Sequence, residues 1–254
     1  MKKILSLLLT LMMLFSIVPT SVLAENDVAT ATVYLTVSNK GVIASANDGS
    51  IMANREVSVK DIDEDGKLTY DEALVAAHKA YNSESGYSAP NGTVKKLWGA
   101  ETDNVLNFTN DVCNTTTVDK AEIRSGDYLT ASINADESGC YADWYSFFDT
   151  TEKEVKANEE FALNLKGFYV MAYMPEDLTP APLNGISIGI WNNGVFTALS
   201  EKTTDANGNV TLSFENEGTY YITASGTVKD TVMDWSAFEE VEMDCPIIAP
   251  VCTI

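Results

Sequence analysis

The chain has 254 residues and a formal net charge of −21, from 16 basic and 37 acidic side chains. Nucleic-acid phosphates require a basic patch and anionic membranes attract basic segments, so this balance argues against both as partners. It suits a soluble extracellular protein and a site for hard divalent cations.

Residues 1–24, MKKILSLLLTLMMLFSIVPTSVLA, predict a secretory leader. Lys2 and Lys3 supply the positive start, Ile4 to Val18 the apolar run, and Val22-Leu23-Ala24 a small-residue cleavage site before Glu25. A membrane anchor is the alternative, and the short apolar run with few basic residues after it weighs against that. Cleavage removes two lysines and no acid, so the mature chain is more acidic still. It is expected to be secreted or cell-surface associated, with no transmembrane segment left. Roughly 230 mature residues suit one large domain or two.

In chain order, TVYLTV (32–37) alternates apolar Val33, Leu35 and Val37 as a half-buried strand does, and REVSVK (55–60) repeats the pattern with Val57 and Val59. YDEALVAAHKAY (70–81) sets Leu74, Ala77, His78 and Tyr81 on one face at helical spacing. TVKKLWG, NVLNFTN, DYLTASI and DWYSFFD then read as short strands between turn residues, which closes a first domain at 28–150. TTEKEVKANEE is charged and weakly apolar and marks the boundary. From 154 to 254 the pattern is all strand: FALNLKGFYV, GISIGIW, GVFTAL, NVTLSF, TYYITAS and a closing PIIAPVCTI. Turns recur at Asn193-Gly194, Asn207-Gly208 and Glu217-Gly218, a spacing that predicts a β-sandwich.

Between the second strand and the helix lies DIDEDGKLTYDE. Asp61, Asp63 and Asp65 can converge their carboxylates on one ion, and Gly66 permits the sharp turn around it. Lys67 would contribute its backbone carbonyl, Thr69 a direct or water-mediated contact, and Glu72 both carboxylate oxygens. Apolar Leu68 would tack the loop to the core. The stretch resembles an EF-hand calcium loop, which implies Ca2+ as cofactor, with Mg2+ the lesser candidate. An acidic turn capped by Thr69 or Asp71 is the alternative. The preceding segment reads as a strand, so this is strand–loop–helix. Single loops of this sort resemble those of dockerins and other bacterial surface modules, and a dockerin carries two. DANGN (205–209) lacks the later ligands and reads as a hairpin turn.

Two wider resemblances set the expected fold class, α+β. The run LWGAETDNVLNFTNDV, with IRSGDYLTASI, resembles bacterial surface domains related to the β-grasp-like C-terminal domain of transcobalamin, which implies a helix on a small mixed sheet. PLNGISIGI, TTDANGNVTLSF and GTYYITASG are similar to bacterial immunoglobulin-like repeats, which implies an all-β sandwich and a spacer or adhesive role.

Cys113, Cys140, Cys245 and Cys252 are disulfide candidates with three possible pairings. Sequence proximity favours Cys113–Cys140 and Cys245–Cys252, and four free buried thiols are the alternative. His78, the only histidine, falls on the apolar stripe, and no nucleophile turn accompanies it, so no enzyme is expected. CYADWYSFFD places Tyr141, Trp144, Tyr145, Phe147 and Phe148 within eight residues. In a strand Trp144 and Phe148 share one face and Tyr145 and Phe147 the other, so one set is exposed unless something covers it. An exposed row would grip a protein or saccharide partner at the cell surface, with Trp98, Tyr141, Trp144 and Tyr145 as candidates. These readings together describe a non-catalytic, calcium-stapled surface protein in attachment or recognition. A small-ligand carrier, for a corrinoid or saccharide, is the alternative.

Overall fold

The computed structural model describes residues 29–138, 140–171, 179–192 and 194–254. The predicted leader and Asn193 of one predicted turn lie outside the described residues.

The first half of the chain forms β1 (Thr30–Asn39), β2 (Val42–Ile43), β3 (Arg55–Lys60), α1 (Tyr70–Tyr81), β4 (Lys96–Leu97), β5 (Ala100–Glu101), β6 (Val105–Thr109), β7 (Val112–Cys113) and β8 (Tyr128–Ile133). Along one edge β1 pairs antiparallel with β2 and β3. On its other side β1 pairs in parallel with β8, after which come β6 and β7. The β1–β2 hairpin turns on Lys40 and Gly41, whose φ angles of 53° and 77° are both left-handed, as a two-residue turn matched to strand twist requires. One face of this sheet presents Val33, Leu35, Val37, Leu129, Ala131 and Ile133 to a core shared with Ala73, Leu74 and Ala77 of α1. Its opposite face carries Thr36, Ser38, Ser132 and Phe108, and these are buried too.

What covers that second face is the rest of the chain: β9 (Trp144–Phe148), β10 (Phe161–Tyr169), β11 (Ala181–Pro182), β12 (Ser187–Asn192), β13 (Val195–Thr203), β14 (Asn209–Leu212), β15 (Tyr221–Ser225), β16 (Thr227–Asp234), β17 (Glu239–Ile248) and β18 (Cys252–Thr253). A second sheet runs β11-β10-β9-β17-β16, with β14 also on β10. A third runs β13-β12-β15-β18. Their inner faces interleave Phe148, Leu163, Leu165, Ile188, Val210, Leu212, Ile222 and Ile247 into one core, as packed sheets do. Outside that sandwich core, Tyr145 of β9 stacks on Phe108 of β6 with ring centroids 3.8 Å apart, and Phe168, Val170 and Ile248 complete this junction. A second junction joins Ile43 and Ala53 to Trp191 and Ala249.

The expected α+β class is corrected by these sheets. Strands make up 47% of the described residues and helix 8%, with one α-helix among them, so the molecule is mostly β with several sheets. The reason lies in how the second face of the first sheet is covered. A sheet with one face on a helix needs its other face in water to form a small separate domain. Here a second sheet takes that face instead. The strand Trp144–Phe148, read from sequence as the end of the first domain, pairs antiparallel with β10 and parallel with β17 in the second sheet. The β16–β17 hairpin had no counterpart in the sequence reading. Its turn is closed by Asp234, whose carboxylate accepts from Ser236 and Ala237 backbone N–H groups, while Phe238 takes the left-handed φ of 56° that glycine or asparagine usually signals.

Candidate metal centre

The acidic loop leaves β3 at Lys60 and ends inside the first turn of α1. Asp61 is 6% exposed, whereas Asp63 and Asp65 are open to solvent. One carboxylate oxygen from each of the three lies within 4.8 Å of the others. Local hydrogen bonds curl the backbone to bring this about. Asp61 Oδ2 accepts the Gly66 N–H at 2.8 Å, Asp63 Oδ1 the Asp65 N–H at 3.3 Å, and Asp65 Oδ1 the Lys67 N–H at 2.8 Å. Gly66 has φ +83° with open space where a Cβ would stand, so the torsion and not crowding calls for glycine there. Asp61 Oδ1 is buried and has no protein partner. A buried carboxylate oxygen without a donor is costly, and a cation in the cluster would satisfy it.

Glu72 is 6% exposed and works on the loop from the helix side. Its Oε1 accepts the Ile62 N–H at 2.6 Å, and its Oε2 accepts the Thr69 N–H at 2.9 Å and the Thr69 hydroxyl at 3.1 Å. Thr69 Oγ1 in turn accepts the Glu72 N–H at 3.3 Å, which completes a capping box at the start of α1. The predicted ligands therefore separate into two groups. Asp61, Asp63 and Asp65 come together, while Thr69 and Glu72 bond to each other and to the loop backbone. Lys67 points its ammonium to Glu122, 2.5 Å away, which raises the lysine pKa and lowers that of the carboxylate. Leu68 packs against the first core and its carbonyl accepts from Ile123 N–H at 2.8 Å, fixing the loop to a distant part of the chain. Asp205 accepts from Asn207 and Asn209 N–H groups, both at 2.8 Å, and forms the hairpin turn the sequence indicated.

The aromatic candidates do not gather on one face. Trp98 donates its Nε1–H to the Ser45 carbonyl at 2.8 Å and packs on His78, with ring centroids 4.6 Å apart. Trp144 is half-buried and donates to Asp230 Oδ2 at 3.2 Å. Tyr145 is 4% exposed and donates to Asp111 at 2.8 Å. Tyr141 sits in a loop with φ 52°. His78 is fully buried: Nδ1 lies 2.7 Å from the Leu74 carbonyl and Nε2 accepts the Trp98 N–H at 3.0 Å. Burial lowers its pKa, with the Leu74 bond acting the other way. The structure joins none of Cys113, Cys140, Cys245 and Cys252 by a disulfide, and the members of each pair favoured by sequence proximity fall in different parts of the core.

One feature without a sequence signal is a cleft of about 460 Å³ where the first sheet meets the sandwich. Tyr34, Tyr81, Tyr128 and Tyr221 line it, with Arg55 and Glu152. These six residues come from six separate segments, so no local pattern could have found it. No family model matches the chain, and neither the curated proteins nor the solved structures contain a match.

Proposed function

We propose that this is an exported, non-catalytic, calcium-binding surface protein in which the ion staples the β3–α1 junction of a module used in attachment or recognition. The observation that carries the reading is the buried, unpartnered Oδ1 of Asp61 within a cluster of three converging carboxylates. Asp61, Asp63 and Asp65 would hold the ion, and Ca2+ suits an all-oxygen loop better than the smaller Mg2+, which prefers to keep its water. Its role is stabilisation by mass action, about 2.7 kcal/mol at one hundred times the dissociation constant. Extracellular sites of this kind work at dissociation constants on the order of 0.1–1 mM. In support of a non-catalytic role, the single histidine has both ring nitrogens engaged in the core.

Calorimetric titration of the metal-free chain with calcium tests the reading. One saturable event is expected, lost in Asp61→Asn, and a flat titration would leave only an acidic turn.

A second reading, a saccharide carrier, has the tyrosine-lined cleft in its favour. Tyrosine faces stack on sugar rings, and Arg55 and Glu152 offer hydrogen bonds to hydroxyls. Saturable binding of soluble oligosaccharides, weakened by Tyr128→Ala, is its test.

A further inference from the structure

The four thiols have different neighbours. Cys113 packs at the edge of the Phe108–Tyr145 junction, and Cys252 lies in the sandwich core. Cys140 and Cys245 share one small buried cluster with Ala142 and Val232. They are 4% and 0% exposed.

Sheet register explains how residues so distant in sequence come to share a cluster. β9 runs parallel to β17, with Trp144 beside Ile247 and Tyr145 beside Ile248. The ladder begins at Trp144 and Ile247, so it brings the segment before Trp144, with Cys140 and Ala142, towards the stretch of β17 just before Ile247, which carries Cys245. In the β16–β17 hairpin Val228 faces Cys245 and Val232 faces Val241, so Val228, Val232, Val241 and Cys245 lie on one side of the ribbon. The segment leading into β9 covers that side. Trp144 Nε1–H on Asp230 Oδ2 at 3.2 Å ties it to the hairpin, the Tyr169 hydroxyl on the Cys140 carbonyl at 3.3 Å ties it to β10, and the Ala142 N–H on Asp136 Oδ2 at 2.9 Å shapes the segment itself.

We propose that Cys140 and Cys245 are joined by a disulfide in the exported chain, while Cys113 and Cys252 remain thiols. The bond forms by exchange with a disulfide oxidant. One cysteine thiolate attacks the oxidant's S–S bond to give a mixed disulfide, and the second thiolate displaces the oxidant as a dithiol. Two electrons pass to the oxidant, and the two protons released by the cysteines end on its sulfurs. In the folded chain burial, followed by the carboxylates of Asp230, Asp136, Asp143 and Asp244, pushes the Cys245 thiol up to about 12. Exchange therefore belongs to folding, before the cluster closes, and the finished bond is shielded from reductants. The bridge ties the entry to the central strand of the second sheet to its parallel neighbour. Export supplies its oxidant, and calcium has no part in it.

The test is thiol mapping. The chain secreted with its leader intact is unfolded in guanidinium with N-ethylmaleimide and no reductant, then digested and analysed by mass spectrometry. Labels on Cys113 and Cys252 are expected, with a cross-linked peptide pair holding Cys140 and Cys245 that separates on reduction. Labelling of all four cysteines, or a bridge to Cys113 or Cys252, overturns the proposal. Cys245→Ser should expose Cys140 to label, and a Cys113→Ser, Cys252→Ser double variant should keep the cross-link even where the first variant fails to fold. The same map in chelator should be unchanged, which separates this result from the calcium reading. A chain that keeps residues 1–24 signals failure of export. Refolding it with glutathione disulfide as oxidant then lets the same map decide.

Discussion

Replacing Asp61 by asparagine keeps the shape of the side chain and removes its charge from the one carboxylate of the cluster that is buried. The amide oxygen can still accept the Gly66 N–H now bonded at 2.8 Å, so the loop retains its turn. The other terminal atom, which as Oδ1 is a buried acceptor without a protein partner, becomes an NH2 donor and could not ligate a cation. The metal-free variant should therefore unfold close to the parent, within about 1 kcal/mol, because loss of the charge-assisted bond is offset by relief of repulsion from Asp63 and Asp65. The difference appears on adding calcium. At one hundred times the dissociation constant the parent should gain about 2.7 kcal/mol. At roughly 2–4 °C per kcal/mol for a chain of this size, its melting midpoint should rise by about 5–11 °C, and that of Asp61→Asn should not move. Thermal melts by circular dichroism, in calcium and in chelator, read this directly. Sodium chloride at matched ionic strength is the control, since a chain of net charge −21 is stabilised by screening alone. An equal calcium shift in parent and variant would refute the reasoning, and so would a parent whose shift is reproduced by salt.

Three further outcomes are expected. Thr69→Ala removes the hydroxyl half of the capping box and should cost about 1 kcal/mol, read as a lower urea midpoint with an unchanged slope. Phe108→Ala empties the stack against Tyr145 at the junction and should cost about 3–5 kcal/mol; a loss below 1 kcal/mol would mean the two halves do not depend on this contact. His78 has a folded-state pKa below its ordinary 6.5, so the unfolded chain binds a proton first as pH falls. Its contribution is fully present above 6.5 and declines as pH drops towards the lower folded value. Urea midpoints from pH 8 to pH 5 should fall more steeply for the parent than for His78→Gln.

The acidic loop was legible because its chemistry is local. The spacing of Asp61, Asp63, Asp65 and Gly66 curls the backbone through bonds no more than five residues long, and Thr69 with Glu72 starts the helix by the same short-range means. The strand alternation of β1, β3, β10 and β14, and the turn at Asp205, likewise needed no distant partner. What local pattern cannot encode is which strand lies beside which. Trp144–Phe148 alternates identically whether it closes the first sheet or occupies the middle of the second, and only its pairing with β10 and β17 put both of its faces under cover. That choice overturned the α+β expectation and withdrew Tyr145 into the junction. It also set Cys140 near Cys245 instead of either sequence neighbour, and assembled the tyrosine-lined cleft from separate segments. Local bonds also hold the Glu72 carboxylate, to the Ile62 N–H and to Thr69, outside the cluster of three aspartates. Sequence by itself determined the loop, the helix start and the strand periods, which rest on neighbours within one turn or one hairpin. Tertiary structure alone decided partners and coverage, because long-range pairing depends on the competition of every buried face for every other.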